Sequence, residues 1–321
     1  MSFRPTVYRH IALLIFVIGS SSGLFIYDTD RKIRSAAQEG VSQFVSKLEG
    51  VTKGDLSITY DAVEAGIFRD NVTVNNISFN DPYGHSFFKM ESASLLSEDS
   101  VKNDTLPIAS KVSIQGFEII NERALKDFER TTGLVYNEHN VDFDFEYNFS
   151  ESKDTLSAQG NLLVSDMNDV SAKITLSNVK NYWNAIESNY ASNGGHFDMK
   201  IDVARKSRRI ASNININDFN LIYINKGEVG EKIGKMALKQ NISVDDVELK
   251  ISERINEGYS YFGFSDEANV FLKDPQNFTL SFNPEKPMTF KEISSLFHLA
   301  LRDGDKDVFK KAGVKINVNS L

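Results

Sequence analysis

The sequence predicts an α+β protein: an N-terminal transmembrane helix followed by a long antiparallel β-sheet, expected to be curved, with short helices on one face. Three observations support this fold class. Residues 11–27 form an apolar run without a charged residue. From residue 55 onward, apolar and polar residues alternate in many short stretches, as in strands with one buried face. Segments with apolar residues at three- and four-residue spacing interrupt these stretches and predict helices.

Residues 11–27 are predicted to be a membrane anchor. As a helix they would be about 25 Å long, near the lower limit for crossing a hydrocarbon core of about 30 Å. A cleaved signal peptide and a buried core helix are the alternatives. We prefer an uncleaved anchor because the apolar run resumes after the small residues at 19–23. The anchor residues singled out are Ile11, Leu14, Phe16, Val17, Leu24, Phe25 and Tyr27.

The domain organisation follows from this anchor. We assign residues 1–27 to a cytoplasmic tip and the anchor, 28–53 to a stalk helix, and 54–321 to a periplasmic β-rich domain with a sub-boundary near 97–106. The helix itself is predicted over residues 29–50 by its apolar spacing. Basic residues flank the anchor on both sides, so orientation rests on the tendency of long domains to translocate regardless of charge.

Alternating patterns predict the strands. Leu56, Ile58 and Tyr60 predict the first strand. In the next strand Val72 and Val74 alternate with polar residues, and the alternation continues at Ile77 and Phe79 after a slip of one residue at Asn75-Asn76. Residues 80–84 are a strong turn signal. Two further strands are predicted from Val247, Leu249 and Ile251 and from Val270–Leu272. The remaining predicted strands lie at 88–94, 108–120, 141–149, 156–164, 170–176, 197–203, 210–216, 221–224, 259–264, 278–282 and 314–318.

Amphipathic patterns predict short helices between the strands. They lie at 123–128, 182–190, 229–239, 290–301 and 307–311. Four of these follow a strand directly through Asn or Ser, among them Ser177-Asn178 and Asn225, and side chains of these types suit the N-cap.

The cleanest alternating run is 141–149. One face carries Phe143, Phe145, Tyr147 and Phe149, which are predicted to line an apolar groove or to form core. The other face carries Asp142, Asp144 and Glu146, for which we favour a solvated strand face over a cation site. Apolar runs such as Leu221–Ile224 predict strands covered on both faces, by helices or by an acyl chain lying in a curved sheet.

Composition excludes several classes of function. The net charge of −8 and the pI of about 5.3 argue against nucleic acid as a partner. The chain has no cysteine, which excludes disulfides, thiol catalysis and thiolate metal sites and favours a bacterial periplasm or a reducing compartment. Residues 221–236 fail as a phosphate-binding loop at Val229 and Met236. The sequence therefore predicts no catalytic, cofactor-binding or metal-binding residue, and a protein that is not an enzyme.

The order of features in the N-terminal third resembles a known family. An apolar span and a stalk helix are followed by Gly54-Asp55-Leu56, Gly66-Ile67-Phe68 and a strand ending in Asn80-Asp81-Pro82-Tyr83-Gly84. This order is similar to the start of AsmA-like bacterial inner-membrane-anchored periplasmic proteins. The resemblance implies a single-pass inner-membrane protein with its bulk in the periplasm, membrane lipid as a partner, and a role in lipid handling or outer-membrane homeostasis. The alternative is a structural or adaptor subunit with an envelope protein partner and no ligand.

Overall fold

The computed structural model describes residues 30–51, 56–65, 71–98, 108–122, 125–126, 140–192, 211–258, 263–303 and 307–320. The fold is α+β, with open antiparallel sheets and several helices. The chain divides into two compact units. The first comprises residues 1–149 and 183–203, and the second comprises residues 150–182 and 204–321.

The first unit contains one long helix and an antiparallel sheet. The helix predicted over 29–50 is observed as α1 (Asp30–Val51). The strands follow the order β1–β3–β4–β5–β6, and β2 also pairs with β3. Their bounds are β1 (Ser57–Thr59), β2 (Ala62–Ala65), β3 (Asn71–Asn80), β4 (Ser86–Glu98), β5 (Ala109–Ile119) and β6 (Val141–Ser150).

A crease crosses three neighbouring strands of this sheet. Asn76 on β3 has φ 52° and Gly116 on β5 has φ 60°. The pairing registers place both of them opposite Glu91 of β4, which lies between them. A left-handed residue turns the strand so that the alternation shifts by one, and Asn and Gly tolerate that conformation best. The slip predicted at Asn75-Asn76 is therefore confirmed.

The crease keeps apolar side chains on one face along the whole strand. Met90 and Ala93 are both buried in β4, although they are three residues apart. The rings of Phe88 and Phe117 stack at 5.5 Å, and α1 adds Val45. The buried cluster comprises Leu56, Ile58, Ile77, Phe79, Phe87, Phe88, Met90, Ala93, Leu95, Val112, Ile114 and Ile119.

The second unit contains a sheet of the order β7–β8–β9–β10–β12, and β11 pairs with β9. Neighbouring strands in this described sheet pair antiparallel. The strands are β7 (Thr155–Val164), β8 (Asn168–Ser177), β9 (Asn215–Asn225), β10 (Asn277–Phe282), β11 (Met288–Thr289) and β12 (Val314–Val318). The helices that begin in this unit are α2 (Lys180–Ser192), α3 (Glu228–Gln240), α4 (Val244–Gly258), α5 (Ser265–Lys273), α6 (Phe290–Asp303) and α7 (Val308–Lys311).

Two predicted strands are wrong, and a third, predicted at 210–216, begins only at Asn215 and continues to Asn225 as β9. Val247, Leu249 and Ile251 lie in α4, and Val270–Leu272 lie in α5. Val247 and Ile251 are one helical turn apart and face the helical core, whereas Leu249 is 59% exposed. A short apolar pattern of this kind fits both periods, and here the helix prevails. The helices predicted at 182–190, 229–239, 290–301 and 307–311 are confirmed as α2, α3, α6 and α7.

Several predicted features lie outside the described residues. These are the anchor at 11–27, the strand at 197–203, and most of the strand at 259–264, of the helix at 123–128 and of the break at 97–106. Among the helices of the described residues, none combines the length and the apolar character needed to span a membrane.

Candidate functional site

The predicted aromatic face of β6 lies in and beside the core of the first unit. Phe149 is 4% exposed, and its ring stacks on that of Trp183 with centroids 4.4 Å apart. Tyr147 is tilted against the same indole at 5.9 Å. Phe143 packs against the buried cluster, and Phe145 is half-buried opposite Val112. The predicted anchor residues lie outside the described residues.

The acidic face of β6 has a structural contact at one end. The Oδ1 atom of Asp142 accepts a hydrogen bond of 2.8 Å from the backbone N–H of Gly116. This bond satisfies a donor that the crease removes from the regular ladder. Within the described residues, no group of three or more His, Asp or Glu side chains is arranged to hold a metal ion.

The sheet of the second unit has one continuous apolar face. Directly opposed residues of antiparallel strands project their side chains to the same face, so the pairing registers define rows of apolar residues across it. The first row is Leu162, Val170, Tyr223, Phe278 and Val318. The second is Gly160, Ala172, Leu221, Leu280 and Ile316, and the third is Ala158, Ile174, Phe219, Phe282 and Val314. The fourth is Leu156, Leu176, Ile216 and Met288.

A β-bulge keeps the fourth row on this face. The register of β8 with β9 shifts so that Leu176 pairs with Ile216 while Thr175 pairs with Asp218. Asn217 is the extra residue, and its Oδ1 accepts a 2.6 Å hydrogen bond from the Ser177 hydroxyl. Without the bulge, Ile216 would lie on the polar face. We name the four rows together the apolar face.

The apolar face is less deeply buried than the core of the first unit. Among its members, only Ile216 and Phe282 are buried, and the others are half-buried. In the first unit, most large apolar side chains of the sheet are 2–8% exposed. The apolar face therefore retains contact with solvent over most of its rows.

The helices α3, α4 and α5, which we name the helical lobe, form a separate core. Its buried cluster comprises Ile233, Ala237, Val247 and Leu272. No strand residue belongs to this cluster within the described part of the chain. The lobe reaches the apolar face through Phe271, whose ring lies 5.9 Å from that of Tyr223 and 5.4 Å from that of Phe278.

A buried polar cluster joins the lobe to the same end of the apolar face. Glu228, the first residue of α3, is 8% exposed and is the only charged side chain among the buried residues of the described chain. Its carboxylate accepts hydrogen bonds from the Asn168 amide, from the Lys232 ammonium and, at 3.0 Å, from the Tyr223 hydroxyl. Asn168 and Tyr223 belong to the sheet, whereas Lys232 belongs to the lobe.

The electrostatics of this cluster follow from burial and hydrogen bonding. Burial alone would raise the pKa of Glu228, but the hydrogen bonds from Lys232, Tyr223 and Asn168, with the positive charge of Lys232, lower that pKa below its usual value. Burial, followed by the hydrogen bond to Glu228, raises the pKa of Tyr223. Glu228 is therefore ionised and Tyr223 neutral at physiological pH.

Sequence reasoning identified part of the apolar face, as the apolar run Leu221–Ile224, but it missed this polar cluster as a site. It considered the segment that contains Glu228 as a phosphate-binding loop and rejected that loop at Val229 and Met236. A usable signal was present, because Glu228 directly precedes the helix predicted over 229–239 and Lys232 lies one helical turn later. No comparable signal marks Asn168, which reaches Glu228 across 60 residues of chain.

The fold and the site define an α+β protein whose second unit presents a half-buried apolar sheet face with a charged cluster at one end. A family model described as "Uncharacterized protein" matches residues 161–319. The match runs from within β7 to the residue after β12 and thus covers most of the apolar face and the whole helical lobe. A comparison with curated proteins finds no match.

Proposed function

We propose that this protein is a membrane-tethered, non-enzymatic protein of the bacterial envelope that binds lipid acyl chains on the apolar face. The observation that carries the proposal is the incomplete burial of that face, since most of its members are half-buried and the core of the helical lobe uses none of them. Apolar surface left in contact with water favours a binding partner that covers it.

The dimensions of the apolar face suit an acyl chain. Five neighbouring strands spaced about 4.8 Å apart extend over about 19 Å between the outermost strands, and four rows extend over about 20 Å along the strands. The acyl chains of one leaflet occupy about half of a hydrocarbon core of about 30 Å. One extended chain therefore fits within the face, whether it lies along the strands or across them.

The tether is proposed from the sequence. The uncharged run at 11–27 would hold the chain as a single-pass protein of the inner membrane with its bulk in the periplasm. Membrane lipid is then the nearest apolar partner. A role in lipid handling or outer-membrane homeostasis, in the manner of AsmA-like proteins, would follow from this location.

Lipid mass spectrometry of the full chain, purified in mild detergent, tests the proposal. Leu221 lies in the second row of the apolar face, and its neighbour Asn220 points to the opposite face of the same strand. We expect Leu221→Lys to lower the co-purifying lipid by about tenfold or more, because the ammonium would be desolvated by a bound acyl chain. The matched variant Asn220→Lys should retain lipid. Lipid that is absent from the wild-type protein, or equally abundant in both variants, would contradict the proposal.

A structural or adaptor role is the second candidate. It is favoured by exposed apolar side chains on the helical lobe, where Leu238 is 83% and Leu249 is 59% exposed. These residues lie on helices and not on the apolar face, so a protein partner would have a contact surface of its own. Recovery of a lipid-free protein in a stoichiometric complex, lost in Leu238→Ser with Leu249→Ser, would support this role over lipid binding.

A further inference from the structure

The helical lobe is joined to the sheet by two connections that lie side by side. The backbone N–H of Asn225 donates to the carbonyl oxygen of Gln276 at 2.7 Å, and its side-chain amide donates to that of Pro275 at 2.5 Å. The chain thus leaves the sheet after β9 and returns before β10 at one place. Gly227, in the outgoing connection, has φ 134°, a conformation open to glycine. Two adjacent connections with such a residue form a hinge.

The lobe also has the internal packing of a body that moves as one. Ile233 and Ala237 of α3 pack with Val247 of α4 and Leu272 of α5. Displacement of the lobe from the sheet would leave this core intact. The contacts that would break include the packing of α5 against β12, the ring packing of Phe271, the bonds of Glu228 to the sheet, and a contact on the α7 side.

The contact on the α7 side is weak by its geometry. The Lys310 ammonium lies 3.7 Å from the Glu267 carboxylate and 5.5 Å from the centre of the Phe264 ring. The Lys310 side chain is 46% exposed, so water competes for both interactions. The buried cluster around Glu228 is therefore the main polar restraint on the lobe.

A buried charged cluster is an unusual way to hold a helix permanently against an apolar sheet. Desolvation offsets much of the attraction in such clusters, and apolar side chains of similar size stabilise a fixed contact at least as well. Charged clusters are better suited to a contact that is either fully made or fully broken. Glu228 makes a contact of this kind between the lobe and the sheet. Its Oε2 atom accepts hydrogen bonds from both sheet residues, Asn168 and Tyr223, whereas its Oε1 atom accepts from Lys232 of the lobe.

From these observations we infer that the helical lobe is a lid on the Tyr223 end of the apolar face, with the connections at 225–227 and 274–276 as its hinge and Glu228 as its latch. The inference rests on the proposed function, because the lid regulates access of an acyl chain to that face. When the latch opens, Tyr223 and Phe278 lose the cover of Phe271, and the first row becomes accessible together with the other three.

The lid can be tested by distance measurements on the full chain in mild detergent. The chain has no cysteine, so Leu249→Cys on α4 and Lys173→Cys on the polar face of β8 provide two unique sites for spin labels. Both positions are exposed. Electron–electron double resonance then measures the distance between the two spin labels, and thus the separation of lobe and sheet. The measurement is made with and without phosphatidylglycerol and phosphatidylethanolamine added to the detergent micelles. Lipid retention is measured in parallel by mass spectrometry.

Glu228→Gln is the decisive variant. A glutamine has one side-chain oxygen, so it cannot accept from the two sheet donors and from Lys232 together. We expect the population with the longer separation to rise about tenfold without lipid, and we expect lipid to produce the same population in the wild-type lobe. Glu231→Gln is the matched control, since Glu231 has the same charge on the same helix and pairs with Lys235 one turn later.

Two results would overturn the lid. One is a separation in Glu228→Gln that matches that of Glu231→Gln, and the other is a wild-type separation that does not change although lipid is retained. Failure of the proposed function has a different signature, namely that no protein in the series retains lipid. In that case the comparison of Glu228→Gln with Glu231→Gln still decides whether Glu228 latches the lobe.

Discussion

Replacing Gly116 by alanine should destabilise the first unit by about 2 kcal/mol. Gly116 has φ 60°, and a residue with a Cβ atom in the left-handed region costs roughly 1–2 kcal/mol. The new Cβ would also lie 2.4 Å from Cγ and 2.6 Å from Cδ of Glu91, which must therefore move. Because that side chain is flexible, the steric contribution should be the smaller of the two.

Urea unfolding followed by the fluorescence of Trp183 measures this change. Trp183 is the only tryptophan of the chain, and it stacks on Phe149 within the first unit, so its emission reports the unfolding of that unit. Glu91→Ala removes the atoms closest to the new Cβ. In the double variant the steric part should disappear and the backbone part of roughly 1–2 kcal/mol should remain. A Gly116→Ala protein within about 0.5 kcal/mol of wild type would refute the left-handed crease.

Two further predictions concern aromatic residues. Phe149→Ala should lower the free energy of unfolding of the first unit by about 3–5 kcal/mol, since it removes a buried ring from its stack with Trp183, and urea unfolding followed by circular dichroism checks this. The raised pKa of Tyr223 means that folding favours its neutral form, so wild-type stability should fall as the pH rises above about 10. Thermal melting at several pH values should show a smaller fall in Tyr223→Phe, and an equal fall in both proteins would show that folding does not raise the pKa of this hydroxyl.

Left-handed positions were the part of the fold most readable from local sequence. Every described residue other than glycine with positive φ is Asn or Asp, which reflects the ability of their short polar side chains to stabilise this conformation. The slip at Asn75-Asn76 could be predicted because apolar residues shift from one alternation to the other at that point. The crease across β4 and β5 could not, since it depends on which residues of neighbouring strands are paired.

The helix starts show which caps can be predicted from local sequence and which cannot. Asn225 was expected to be the N-cap of a helix; the N-cap is Gly227, but the side-chain oxygen of Asn225 does accept the Val229 N–H at 3.1 Å. Asn178 was expected to act likewise, but it adopts φ 58°, and the Lys180 N–H is satisfied by Asp154 at 2.6 Å. Asp154 lies in a turn between two strands, so no local rule could assign it. Caps of this kind depend on tertiary contacts.

The sequence contains a start signal for α4, but a pattern that is typical of a strand follows it directly. Ser243 and Asp246 form a capping box: the Ser243 hydroxyl accepts the Asp246 N–H at 3.1 Å, and the Asp246 carboxylate accepts the Ser243 N–H at 3.3 Å. The box is visible in the sequence just before the residues that were predicted to form a strand. The alternation of three apolar residues predicts a strand at this point, whereas the capping box predicts the start of a helix through defined hydrogen bonds.

The apolar face required knowledge of strand register, which no local pattern supplies. Leu221 and Leu280 are paired across 59 residues of chain that include the whole helical lobe, and only this pairing makes them neighbours in one row. The sheet of the first unit is covered by a buried apolar core. Each Å² of apolar area removed from water in this way stabilises the fold by about 25 cal/mol. The second unit also has an apolar sheet face, yet the three helices of its lobe bury Ile233, Ala237, Val247 and Leu272 among themselves. A partner that covered the face would add this stabilisation, and this difference between the two sheets is the physical basis of the lipid-binding proposal.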